Sequence, residues 1–97
     1  MQTRVRDFAL LIGHAWRCTR CRTLLLEEPT AAWIGYKLDE TQREAILNLT
    51  DDSFYTVAKL AEAVSLPVRE LEEAIEHPRA RLRHLAGDRY DFQFAQY

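Results

Sequence analysis

Apolar residues in this chain recur mostly at intervals of three and four. Val5, Phe8, Leu11, Ile12, Ala15 and Trp16 form one such stripe, with arginines around it, the signature of a helix with one buried face. Gly13 inside that stripe costs a helix about 1 kcal/mol relative to alanine, so it predicts a break or a close helix contact. A second helical piece, Arg17–Glu28, runs up to Pro29, and Thr30–Tyr36 has room for one or two turns. Asp39 followed three residues later by Gln42 is a capping-box pattern, opening a helix with Ala45, Ile46 and Leu49 inside. Thr50–Ser53 is a polar break rich in N-cap residues. The next helix is predicted to run to about Val64, with Phe54, Val57, Ala61 and Val64 on one side. Pro67 suits a first helical turn, and Val68, Leu71 and Ile75 line a helix that should stop near His77, before Pro78. Ala80–Leu85 adds a short turn or two. Alternation with period two occurs only late, at Tyr90, Phe92 and Phe94.

The pattern therefore predicts an all-α fold: a compact bundle of five or six short helices with an extended C-terminal tail. Residues 1–86 are expected to form a helical domain and 87–97 an aromatic tail. Trp16, Leu25, Trp33, Ile46, Phe54, Val57, Ala61 and Leu71 are the expected core.

Length and charge narrow the picture. The chain has 97 residues, 47% of them hydrophobic, enough for one core and too few for two. The net charge of −2 projects no basic field toward nucleic acid or membrane. It is unevenly spread: residues 1–22 hold five arginines and one aspartate, whereas 23–77 hold four basic and twelve acidic residues. Basic ends should pack beside the acidic middle as surface ion pairs; an arginine-lined docking surface is the functional alternative. No apolar run has the length of a membrane span and no secretory signal pattern is present, so the expected location is cytoplasmic.

Candidate chemistry is sparse. His14, Cys18 and Cys21 stand at i, i+4 and i+7 and would share one face of a continuous helix, making them the candidate metal ligands. Tetrahedral zinc needs a fourth ligand or water. Zinc motifs usually carry two such ligand pairs and this chain carries one, so a packed, dispensable cysteine pair and no cofactor are expected. No βαβ pattern surrounds the C-x-x-C to suggest a thioredoxin-like role. No phosphate-binding glycine loop, nucleophile elbow or metalloprotease motif occurs, and no catalytic residue is assigned. The acidic pairs Glu27-Glu28, Asp51-Asp52 and Glu72-Glu73 point apart on a helix and read as solvated surface. Leu60–Leu71 has helix-turn-helix character, with Ala61 at the crossing, Ser65 at the turn and Leu71 pointing inward. Its second helix sets Arg69 against Glu70, Glu72, Glu73 and Glu76, the wrong sign for a phosphate-lined groove.

The stretch Leu24-Leu25-Leu26-Glu27-Glu28-Pro29 through Trp33-Ile34-Gly35-Tyr36-Lys37-Leu38-Asp39 and on to Leu49, with Ala58-Lys59-Leu60-Ala61 later, resembles a pattern shared by two groups. One is the small, non-metal-binding subunit of protocatechuate 4,5-dioxygenase. The other is the helical leader domain of ribosomally made, modified-peptide precursors of the borosin kind. The likeness spans roughly residues 8–75; Lys37 stands where the pattern has glycine, and the cysteine pair lies outside it. The resemblance implies a non-catalytic domain that docks on a larger enzyme, either a peptide-modifying enzyme or a dioxygenase large subunit. A DNA-binding regulator is the remaining alternative. Residues 66–97 contain no Ser, Thr or Cys, which excludes lanthionine or azoline formation there. Tyr90, Phe92, Phe94 and Tyr97 are the expected partner-binding residues. Three of these aromatics would share one face of a strand, and aromatic area is costly to leave in water.

Overall fold

The structure, a computed structural model, describes residues 6–82. Among these residues, seven α-helices and one 3-10 turn follow one another: α1 (Asp7–Arg17), α2 (Thr19–Glu27), α3 (Pro29–Ala32), α4 (Glu40–Leu47), the turn Asp51–Phe54, α5 (Val57–Ala63), α6 (Val68–Glu76) and α7 (Pro78–Leu82). The bundle is all-α, as the periodicity predicts. The count exceeds five or six because the short pieces α3 and α7 each complete a helical turn of their own.

The centre of the bundle is α1. Eight consecutive residues, Phe8 to Ala15, are buried, so this helix is covered on every side rather than along one stripe. Such all-round burial marks a core helix. It packs on α2, α6 and α7, with backbone-to-backbone proximity at Gly13. A Cβ there would lie 3.0 Å from the Ala74 carbonyl carbon and 3.0 Å from the Ile75 nitrogen. The glycine expected to mark a break or a close contact thus marks the backbone contact between α1 and α6.

Local signals place the remaining elements. Asp39 Oδ1 accepts from the Gln42 N–H at 2.8 Å, and Gln42 Oε1 accepts from the Asp39 N–H at 3.0 Å, closing the capping box that starts α4. The helix expected to include Phe54 starts later instead. Ser53 Oγ accepts from the Thr50 N–H at 3.1 Å, which holds 51–54 in a 3-10 turn. Thr56 then caps α5 by accepting from the Lys59 N–H at 3.0 Å. Helix α5 ends in a Schellman arrangement: the Leu66 N–H donates to Ala61 O at 2.9 Å and the Ser65 N–H to Glu62 O at 3.2 Å. Ser65 sits at φ 57, a left-handed position that ordinarily falls to glycine.

Leu25, Ile46, Phe54, Ala61 and Leu71 are buried as expected, while Trp16, Trp33 and Val57 are partly buried against the same core. A fully buried leucine contributes about 1.5–3 kcal/mol relative to an exposed one, so Leu11, Leu25, Leu60 and Leu71, each at 0% exposure, anchor the bundle. No helix among the described residues is long and apolar enough to cross a membrane.

Candidate functional site

On a continuous helix His14, Cys18 and Cys21 would share one face. The structure breaks that helix at Cys18, whose φ of −119 and ψ of 111 are extended, between α1 and α2. The reason lies partly in Arg22. Its Nε donates to Ala15 O at 3.1 Å and its Nη2 to Trp16 O at 2.7 Å, satisfying carbonyls in the last turn of α1 that no further turn would serve. The guanidinium also lies over the Phe54 ring, 4.9 Å from its centroid, an attractive geometry for a cation.

The break still brings the three residues together. The nearest candidate ligand atoms of His14, Cys18 and Cys21 all lie within 4.8 Å of one another. His14 and Cys21 are buried, at 3% and 1% exposure, and Cys18 is half-buried. Neither cysteine is in a disulfide. His14 Nδ1 pairs with the Ala80 carbonyl of α7. A carbonyl oxygen only accepts, so Nδ1 carries the proton, and in the neutral ring Nε2 holds the lone pair. Nε2 faces Cys21 Sγ at 3.1 Å. The backbone of α7 therefore sets the tautomer of a residue on α1.

A second feature is a cleft of about 200 Å³ where the start of α1, the start of α4 and the α5–α6 turn converge. Phe8, Ala45, Val64 and Leu66 supply its apolar lining; Arg6, Asp39, Thr41, Gln42 and Ser65 supply the polar part. At its edge Arg6 grips Glu70: Nε to Oε2 at 2.9 Å and Nη2 to Oε1 at 2.9 Å. The Glu70 side chain is 10% exposed and that of Arg6 51%. The hydrogen bonds from Arg6 hold the Glu70 carboxyl below its ordinary range, against the opposing effect of burial, and the same pairing raises Arg6.

The charge pattern sets Glu70 among the outward-facing acids of α6; the structure turns it inward. The signal is present in the spacing, since Glu70 stands one and four residues before Leu71 and Ala74, on the inner face. The ion pairs Arg6–Glu70 and Arg17–Glu76 do join the basic N-terminal part to the acidic middle. Glu27, Glu28, Asp51, Asp52, Glu72 and Glu73 are exposed, as expected of solvated acids. Ala61 and Leu71 are buried in the helix-turn-helix-like corner, while Arg69, Glu72, Glu73 and Glu76 are exposed on α6. The expected partner-binding residues Tyr90, Phe92, Phe94 and Tyr97, with the whole aromatic tail, lie outside the described residues.

No known family, no curated protein and no solved structure matches this chain.

Proposed function

We propose that this chain is a non-catalytic recognition domain that docks on a larger enzyme, with its C-terminal aromatic segment presented to that enzyme as a precursor's tail. The observation that carries the reading is the cleft between α1, α4 and the α5–α6 turn. At about 200 Å³ it is smaller than the roughly 300–1,000 Å³ of sites that enclose small molecules, and it has the scale of one or two side chains. Its charged groups and amide are already engaged, Arg6 with Glu70 and Asp39 with Gln42. An occupant gains from the apolar floor of Phe8, Ala45, Val64 and Leu66, so the cleft suits an apolar anchor side chain of a protein partner. The small-subunit reading, on an extradiol-type dioxygenase, uses the same docking and differs in the partner. For duplex DNA, α6 offers three exposed carboxylates against Arg69, which disfavours that alternative.

The test is direct binding to a purified peptide-modifying enzyme or extradiol dioxygenase large subunit, measured by calorimetry. A complex with Kd of about 10 µM or tighter is expected. Ala45→Arg, which fills the cleft with a charge, should weaken it at least about tenfold, and removing residues 88–97 should leave docking intact while abolishing any modification. Full binding by the Ala45→Arg protein would refute the cleft as the docking point. Salt-sensitive binding to duplex DNA that is lost with Arg69→Ala would overturn the recognition reading.

A further inference from the structure

We propose that His14 Nε2, Cys18 Sγ and Cys21 Sγ form a three-donor site for a thiophilic d10 cation, zinc(II) or copper(I). One imidazole nitrogen and two thiolates are the donor set that such ions favour over harder cations. Zinc–sulfur bonds of about 2.3 Å and zinc–nitrogen bonds of about 2.0 Å imply donor separations of about 3.5–3.8 Å in a tetrahedron. One ligand atom from each of the three residues already lies within 4.8 Å of the others, and Nε2 and Cys21 Sγ are 3.1 Å apart.

A second observation points the same way. Histidines that bind metal through one ring nitrogen usually donate the other N–H to a carbonyl or carboxylate, which fixes tautomer and orientation. His14 is held in this way by Ala80 O, with its lone-pair nitrogen aimed at the cysteines. The half-buried Cys18 also gives the site a side nearer solvent. There a water can complete a tetrahedron around zinc, or copper(I) can remain three-coordinate. On binding, each S–H bond is replaced by a sulfur–metal bond and both thiol protons pass to solvent.

The experiment uses the full chain, reduced and freed of metal. It is titrated with cobalt(II) as a spectroscopic stand-in for zinc, then with zinc(II) and, under anaerobic conditions, copper(I) against chromophoric chelators. One equivalent is expected to bind, with a sulfur-to-cobalt charge-transfer band in the near ultraviolet and tetrahedral bands in the visible. Cys18→Ser and Cys18→Ala, both at a partly exposed position, should lower affinity at least about tenfold while the metal-free protein keeps its helical circular dichroism spectrum. Saturation by zinc assigns the site to zinc, and saturation by copper(I) alone assigns it to copper. The proposal is overturned if neither ion binds below about 100 µM, if cobalt binds without the sulfur band, or if the Cys18 variants bind as tightly as the parent.

Discussion

Replacing Gly13 with alanine sets two effects against each other. Alanine favours a helix over glycine by about 1 kcal/mol, so an unobstructed site would be stabilised. At Gly13 the added methyl meets backbone on the opposing helix: the Ala74 carbonyl carbon and Ile75 nitrogen at 3.0 Å, and the Ala74 oxygen at 3.2 Å. None of these atoms can rotate away as the end of a side chain would. Helices α1 and α6 would have to separate by roughly half an ångström, and overpacking of this kind costs about 1–3 kcal/mol. Backbone on both sides places this case at the upper end, leaving a net loss of about 1–2 kcal/mol. For a domain of this size that lowers the thermal midpoint by about 4–16 °C. Thermal and urea unfolding followed by far-ultraviolet circular dichroism measure it, and Gly13→Val should be worse than Gly13→Ala. A Gly13→Ala protein as stable as the parent, or more so, would refute the close backbone contact.

The other glycine among the described residues tests the opposite cause. Gly35 has φ 89 with nothing within 4 Å of the point where a methyl would sit, so Gly35→Ala should cost about 1 kcal/mol through backbone strain alone, read by the same unfolding curves. Ser65→Gly should stabilise by about 0.5–1 kcal/mol, because it relieves the left-handed serine in the α5–α6 turn; a destabilised variant would refute that conformation. Glu70→Gln should cost about 1 kcal/mol near neutral pH, a charged hydrogen-bonded pair discounted because Arg6 is half exposed. Since Glu70 is held below its unfolded value, its share of stability is fully present above the ordinary carboxylate range. It is lost as pH falls through the depressed folded value, so parent and Glu70→Gln stabilities should converge in acid. Curves that stay parallel down to about pH 2 would contradict the pairing.

Legibility in the sequence follows distance along the chain. The capping box at Asp39 and Gln42 involves neighbours, and it forms as the pattern predicts. The all-round burial of α1 is not visible, because residues on its predicted outer face, such as Leu10, are covered by elements far away in sequence. The metal-ligand candidates are visible by spacing, and the division into a piece ending near Trp16 and a second piece from Arg17 comes within two residues of the observed break at Cys18. What the pattern does not show is that Arg22 caps the Ala15 and Trp16 carbonyls and that the cluster closes across the break. The Ala80 carbonyl that orients His14 lies 66 positions away. The cleft likewise draws on three separate stretches, and no local pattern announces it.

The central position of α1 has a consequence for synthesis. Its last covering partner is made late: Gly13 and the Ala74–Ile75 backbone that seals it are separated by about sixty residues of chain. At roughly 5–20 residues per second, the interval between them is about 3–12 s on the ribosome. During that time Phe8–Ala15, apolar apart from Gly13 and His14, gains α2 but neither α6 nor α7 to cover it. A nascent chain halted before α6 would therefore present its most hydrophobic helix to chaperones rather than to its own core.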